Sequence, residues 1–582
     1  MNLEEQKSRL KRLLPTKEET LLTLKSFSKH ERGIFLALAV FFAVASLYFF
    51  ATLNAFVSVE VPSYGGELSE GIIGTPRFVN PVLAVSDADR DVTALVYSGL
   101  MRKRPDGALV PDLAESYEVS PDGLTYTFVL KEDVRFHDDE PVTADDVEFT
   151  VTRVKDPLIK SPKRGAWEGV SVQKVDDRTL KFILKQKYFP FLENTTLGVL
   201  PKHLWKDLPP EQFSLSDFNI DGIGSGPYFI REIHKNSSGI PDWYELRAFK
   251  EYALGRPFID TITLRFYPNQ GELITAFDNG IVDGIHSIDG REAAMLKESG
   301  YRVEKAPLPR VFALFFNQNE NQLFTDKAVR RALSVAVGKE RIINQVLYGY
   351  GTAIATPLPD MVPLKGPLRI ADNRYEEARK ILTDAGWTED ESGMMVKKSK
   401  KEAHPLKFSI STGDVEELKE AARLLKEDFE HIGAEVELKV FDTGDLNQTV
   451  IRPRKYDALF FGEIVGFDAD PFPFWHSSQR NDPGLNVALY TNAKADKILE
   501  ELRATLDPSL RAEKYRAFEQ QIEADVPAIF VYAPDFVYLV EKSLGGLSLG
   551  HITAPADRFL GVTDWYVKTD TVWKPLSRFA TR

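Results

Sequence analysis

A mixed α/β fold carried outside the membrane behind one N-terminal helix is the architecture the sequence predicts, and three observations predict it. Strand-like and helix-like segments alternate from about residue 67 onward, the pattern of an α/β protein. Residues 33–59 contain no charged side chain. The chain has 582 residues, 43% hydrophobic and 27% charged, a globular composition with enough length for more than one core.

The uncharged run comes first. At ~1.5 Å of rise per residue it can cross a hydrocarbon core of ~30 Å. Lys17, Lys25, Lys29 and Arg32 stand before it, and Arg77 is the first basic residue after it. Positive charge stays on the cytoplasmic side, so the N-terminus is expected inside and the remaining chain outside. The expected division is a cytoplasmic tail (1–32), a transmembrane anchor (33–59) and a linker (60–66). A cleaved signal peptide is the competing reading. It would need a polar leader of about thirty residues and an apolar run longer than the usual ~7–15, with only a poor small-x-small site near Asn54-Ala55. The absence of cysteine excludes disulfides, thiol nucleophiles, zinc–thiolate sites and an acylated lipoprotein cysteine. A net charge of −13 argues against nucleic acid as a partner, which needs a basic face.

Residues 111–154 read as a β-hairpin followed by a helix. Ser120-Pro121-Asp122-Gly123 supplies a fixed φ and a permissive one for a tight turn. Tyr126, Phe128 and Leu130 then alternate with polar residues, as in a half-buried strand. Thr143 is the expected N-cap, with Asp145 and Asp146 in the first turn and Val147, Val151 and Val154 at helical spacing. Further strands are expected at 179–184 and 261–266. Thr325 is expected to cap a helix running toward Gly349, and helices over 375–385 and 415–432 alternate with strands over 435–440 and 456–461. Gly222-Ile223-Gly224-Ser225-Gly226-Pro227 ends in proline and lacks a following Lys-Ser/Thr pair, so it reads as a tight turn rather than a phosphate cradle. The histidines are scattered, and His137-Asp138-Asp139 reads as a surface turn. No H-E-x-x-H or G-x-S-x-G motif occurs. No enzyme, cofactor or metal site is therefore expected.

As a connected string, PDLAESYEVSPDGLTYTFVLKEDVRFHDDEPVTADDV closely resembles the signature of the family 5 extracellular solute-binding proteins, the dipeptide- and oligopeptide-binding components of ABC importers. Lys131 stands where that pattern has arginine, and Asp139 where it has glycine. GSGPYFI (224–230), NGIVDGI (279–285), FTDKAVRRALSVAV (324–337) and YEEARKILTDAGW (375–387) are similar to further blocks of the family, in the same order. The resemblance implies a type II, two-lobed periplasmic-binding-protein-like fold with an extra subdomain in lobe 1. Lobe 1 would take residues 67–306 and 535–582 and lobe 2 residues 307–534, with crossovers near 305–312 and 526–538 acting as a hinge. It also implies a membrane-anchored, extracytoplasmic and monomeric substrate-binding protein that captures peptides and delivers them to ABC permease subunits.

Peptide capture without sequence preference needs a strand-like groove, a carboxylate for the ligand amine and roomy side-chain pockets. By position in the family pattern, Val85, Ser86 and Asp87 would pair with the ligand from lobe 1, and Glu463, Ile464 and Val465 from lobe 2. Peptide binders often show D-x-x-[DE]-P, whereas here Phe467 stands three residues before Asp470. The nearest acid is Asp468, for which amine recognition and a turn-stabilising role are both open. Trp475 lines a pocket or packs in the core. Glu463, an acid in an apolar strand, calls for a cationic partner within the protein or on the ligand. The same fold binding an oligosaccharide or a cationic metabolite, and a surface sensor or structural protein, are the alternatives.

Overall fold

A computed structural model of the chain describes residues 17–358, 373–398, 403–465 and 470–574. These fall into two compact units, residues 17–63 with 568–574, and Tyr64–Val567.

In the first unit the uncharged run lies within one helix, Lys29–Val57, with no buried residue. A capping box starts it: the Glu31 amide donates to Ser28 Oγ, and the Ser28 amide donates to Glu31 Oε2 at 2.8 Å. The segment expected to be a linker begins instead as a strand, Ser58–Ser63, paired antiparallel with Lys568–Trp573 from Ser58 opposite Trp573 to Ser63 opposite Lys568. The residues expected to return to lobe 1 at the end of the chain thus meet the foot of the helix. Trp573 Nε1 donates to Asn54 Oδ1 (3.2 Å), and Lys574 Nζ donates to the Phe56 carbonyl (2.7 Å). Val59 and Val61 alternate with polar neighbours as a strand requires, but the partner lies some five hundred residues away.

The second unit is two-lobed. A long strand, Ala528–Val540, belongs to both lobes. Its first half pairs with Arg310–Phe316, and its second half with Arg302–Pro307 and Gly284–His286. One core gathers residues between Leu68 and Leu308 with others between Phe536 and Trp565. Two further cores draw on residues 311–533. The chain therefore crosses between lobes at Leu308-Pro309 and again near Pro534, and the two crossings touch where the Leu308 amide donates to the Pro534 carbonyl (3.0 Å).

The hairpin at 111–154 forms as expected. Ala114–Val119 pairs with Thr125–Leu130 in a four-stranded antiparallel sheet, and Gly123 sits at φ 68°, a value its missing Cβ permits. Thr143 caps helix Ala144–Lys155, giving its Oγ1 hydrogen to Asp146. The helix expected after Thr325 differs in detail: Asp326 is the N-cap, accepting from the Ala328 amide, and the helix divides into Lys327–Ala336 and Lys339–Val346. The break comes at Gly338, whose amide donates to the buried Asp428 carboxylate (2.8 Å) rather than continuing the helical ladder.

At the base of lobe 1, Arg558 is fully buried (0% exposed). It donates to both Asp91 oxygens (2.8 and 2.9 Å) and to Glu70 Oε2 (3.2 Å). Tyr538 donates to the other Glu70 oxygen, and His286 Nε2 lies 3.2 Å from Asp91. Replacing Arg558 by methionine leaves two buried carboxyls without their counter-charge. It should lower unfolding stability by about 3–5 kcal/mol, read from the denaturant midpoint, and adding Asp91→Asn should restore part of that loss.

Candidate functional site

The lobe 1 part of the site is built on helix Asp87–Val96. Ser86 caps it, and the buried Asp89 carboxylate gathers four backbone amides, those of Arg77 (2.7 Å), Phe78 (2.9 Å), Val85 (3.1 Å) and Ser86 (3.0 Å). This fixes the segment before the helix and leaves Val85 standing out at 56% exposed. It also uses the amides of Val85 and Ser86, so hydrogen bonds to an extended ligand would have to come from the carbonyl side. Asp87 is half-exposed and lies 3.4 Å from Arg90, one turn along.

The other end of this helix explains the GSGP motif. The Gly226 amide donates to the Val96 carbonyl (2.8 Å), and a Cβ on Gly226 would stand 2.6 Å from the Leu95 carbonyl. Only glycine lets the turn come this close. His137 holds the turn from outside, with Nε2 3.0 Å from the Gly226 carbonyl and Nδ1 accepting from the Gly224 amide. Burial and this backbone bond, the first lowering and the second raising, leave its pKa at about 4. It is a neutral clip between two strands of chain.

Along the outward face of the helix runs a cavity of about 430 Å³, within the range of small-ligand pockets. Arg90, Thr93 and Tyr97 come from the helix, Arg102 and Lys103 from the strand after it, Lys163 from a proline-bounded turn, and Asp557 and Phe559 from the turn Pro555–Asp564. None of these residues was a sequence candidate. The one local clue was that Arg90, three residues from Asp87, shares its helix face.

In lobe 2, strand Ala458–Ile464 lies between Arg310–Phe316 and Lys407–Gly413. Ile464 ends it, 58% exposed. Alternation turns Glu463 the other way, with Leu459, Phe461 and Val465, into an apolar core where it is 6% exposed. No described residue hydrogen-bonds either of its carboxyl oxygens, and burial holds its pKa well above the ordinary range. Val465 is buried and donates its amide to the Pro309 carbonyl at the crossover (2.9 Å). Trp475 is fully buried (0%) against Phe315, Tyr490 and Phe530, which makes it a core side chain. Asp470 is taken by Arg503, whose guanidinium grips it and stacks on Phe472 at 3.8 Å. Asp468 lies outside the described residues. The structure thus presents Val85 and Ile464 to solvent, keeps Glu463, Val465 and Trp475 inside, and gives Ser86 a capping role.

The sequence pattern of bacterial extracellular solute-binding proteins, family 5 middle, matches residues 108–486. The chain belongs to this family of solute-binding proteins. Over 527 residues this solute-binding protein is 28% identical to "Oligopeptide-binding protein AppA" of Bacillus subtilis, covering 88% of the present chain and 94% of AppA. The structure of Bacillus subtilis AppA in complex with a nonapeptide matches with a TM-score of 0.65 and 27% identity, over 87% of this chain and all of that one. NikZ from Campylobacter jejuni, in complex with Ni(L-His), matches with a TM-score of 0.66 and 26% identity, over 86% and 99% of the two chains.

Glu463 gives a direct test of the electrostatics of the core beneath strand Ala458–Ile464. In the unfolded chain its carboxyl releases a proton near the ordinary glutamate value, while the fold retains it to higher pH, so stability is lost as pH rises through that window. Glu463→Leu should stabilise the ligand-free protein by about 1–3 kcal/mol. The gain should widen between pH 4.5 and pH 7, measured as a difference in denaturant midpoints.

Proposed function

We propose that this protein is a membrane-anchored receptor that captures peptides outside the cytoplasmic membrane and passes them to the permease of an ABC importer, acting as a monomer and doing no chemistry on its ligand. The observation that supports the reading is a two-lobed unit, with crossings at Leu308-Pro309 and Pro534 and one solvent-facing candidate on each lobe, Val85 and Ile464, in a chain that matches AppA along nearly its whole length. Residues 67–306 with the return from 535 would form lobe 1, and residues 307–534 lobe 2. Affinity comes from burying the ligand as the lobes close, and release from their reopening.

A ligand that binds only the folded state stabilises it by about 2.7 kcal/mol at a hundred times its Kd. Short peptides added to the full-length protein in detergent or nanodiscs should therefore raise its unfolding temperature by several degrees. Stabilisation by Ni(L-His) with none by peptides would instead favour the second reading, a small cationic or metal-chelate solute, which the likeness to NikZ supports.

The anchor reading is supported by the ribbon at the foot of the membrane helix. Trp573 and Lys574 bond to Asn54 and Phe56, the residues flanking the site where a signal peptidase would have to cut. Mass spectrometry of protein extracted from membranes should find the N-terminal segment retained, and a new N-terminus near residue 55 would overturn the assignment.

A further inference from the structure

The wall of the cavity beside helix Asp87–Val96 is richer in cations than in acids. It holds four cations, Arg90, Arg102, Lys103 and Lys163, against three acids, Asp112, Glu193 and Asp557. Most of these charges are already engaged. Lys103 pairs with Glu193. Arg102 donates to the Tyr252 hydroxyl (3.4 Å) and the Leu560 carbonyl (3.3 Å), and Tyr252 in turn reaches Asp112 (3.4 Å). Asp557 is occupied by the amides of Thr553 (2.7 Å) and Ala554 (2.9 Å).

Lys163 is different. Among the described residues no acid or carbonyl accepts from its ammonium. The side chain is reachable from solvent, yet protein atoms crowd its head, and this burial, followed by the nearby charge of Arg90, outweighs the opposing charge of Asp557 and holds its pKa below the ordinary lysine value. Arg90 itself has only a half-exposed contact with Asp87 at 3.4 Å. Two cations that repel each other, around a space larger than a side chain, are the complement of a single carboxylate. Tyr97, Phe559 and Val562 supply apolar wall for the carbon stem behind such a group.

We propose that this cavity is an acid-selective subsite in which Lys163, with Arg90 beside it, receives one carboxylate of the bound peptide. The inference rests on the peptide reading above, and the carboxylate can come from an aspartate or glutamate side chain or from the ligand's C-terminus. In either case Lys163 sets specificity through its charge.

The test uses the full-length protein in nanodiscs and calorimetric titration with alanine pentapeptides carrying Glu, Gln or Lys at each position in turn, each made with a free and an amidated C-terminus. At one position, or at the C-terminus, the carboxylate form should bind about 10-fold or more tightly than its neutral counterpart, the size of a charge-assisted hydrogen bond. Lys163→Met should erase that ratio, and Lys163→Glu should reverse it in favour of the Lys peptide. An unchanged unfolding midpoint in both variants shows that the fold is intact. A difference that follows amidation assigns the C-terminal carboxylate, and one that follows Glu against Gln assigns a side chain; either supports the proposal. If neutral peptides bind but no carboxylate preference exists, or if the preference survives Lys163→Met, the subsite is overturned while the peptide reading stands. If no peptide binds at all, both fall together.

Discussion

Arg558 is a full positive charge with no access to water, and the arrangement of lobe 1 is what makes it tolerable. Removing such a group from solvent costs several kcal/mol, offset only when counter-charges and hydrogen bonds meet it with good geometry. Asp91 supplies the bidentate partner and is held ionised: burial alone would raise its pKa, but Arg558 and His286 outweigh burial and lower it. Glu70, the second acid, is pushed upward mainly by burial, with Arg558 and Tyr538 opposing. The partners come from a helix, two strands of the central sheet, the shared strand and the last turn before residue 568, so the cluster fixes the relative placement of segments up to 488 residues apart in sequence. Asp91 lies on the same helix as Arg90. Rotating that helix to move its outer face would drag a paired carboxylate away from a buried guanidinium, so the wall of the cavity is held in place by what lies beneath it.

Asp89 adds a second constraint on the same helix by gathering the amides of the segment before it. The inner face of helix Asp87–Val96 is thus spent on structure, through Asp89 and Asp91, and the outer face lines the cavity. The second lobe follows another plan. Its exposed strand end at Ile464 is backed by an apolar core, where Glu463 has no hydrogen-bond partner among the described residues to hold it charged. The surroundings of Val85 and of Ile464 therefore differ in kind: one is dense with fixed charge, the other largely apolar.

Much of this fold was legible in the sequence wherever the responsible residues are neighbours. The turn at Ser120–Gly123, the Thr143 cap and the apolar length of helix Lys29–Val57 each follow from a few adjacent side chains. The structure departs from expectation where a distant residue intervenes. Asp428 stops the helix at Gly338, and the strand Lys568–Trp573 turns a linker into a ribbon. The candidate site was less legible for the same reason. Val85 and Ile464 could be located by position in the family pattern, but the inward turn of Glu463 depends on strand register, and the engagement of the Val85 and Ser86 amides depends on Asp89. The cavity draws on segments scattered from Pro81 to Thr563, with no local pattern to join them.

The strand Ala528–Val540 completes both lobes, and Arg558 neutralises the base of the first, yet both follow more than five hundred other residues in the chain. At ~5–20 residues per second, the ribosome needs roughly half a minute to two minutes to reach them. Through that interval the earlier strands have an unfilled place in the sheet, and Asp91 has no guanidinium to meet. Lobe 1 can be closed only once Arg558 has left the ribosome, and a chain that stops before it leaves Asp91 and Glu70 without their counter-charge.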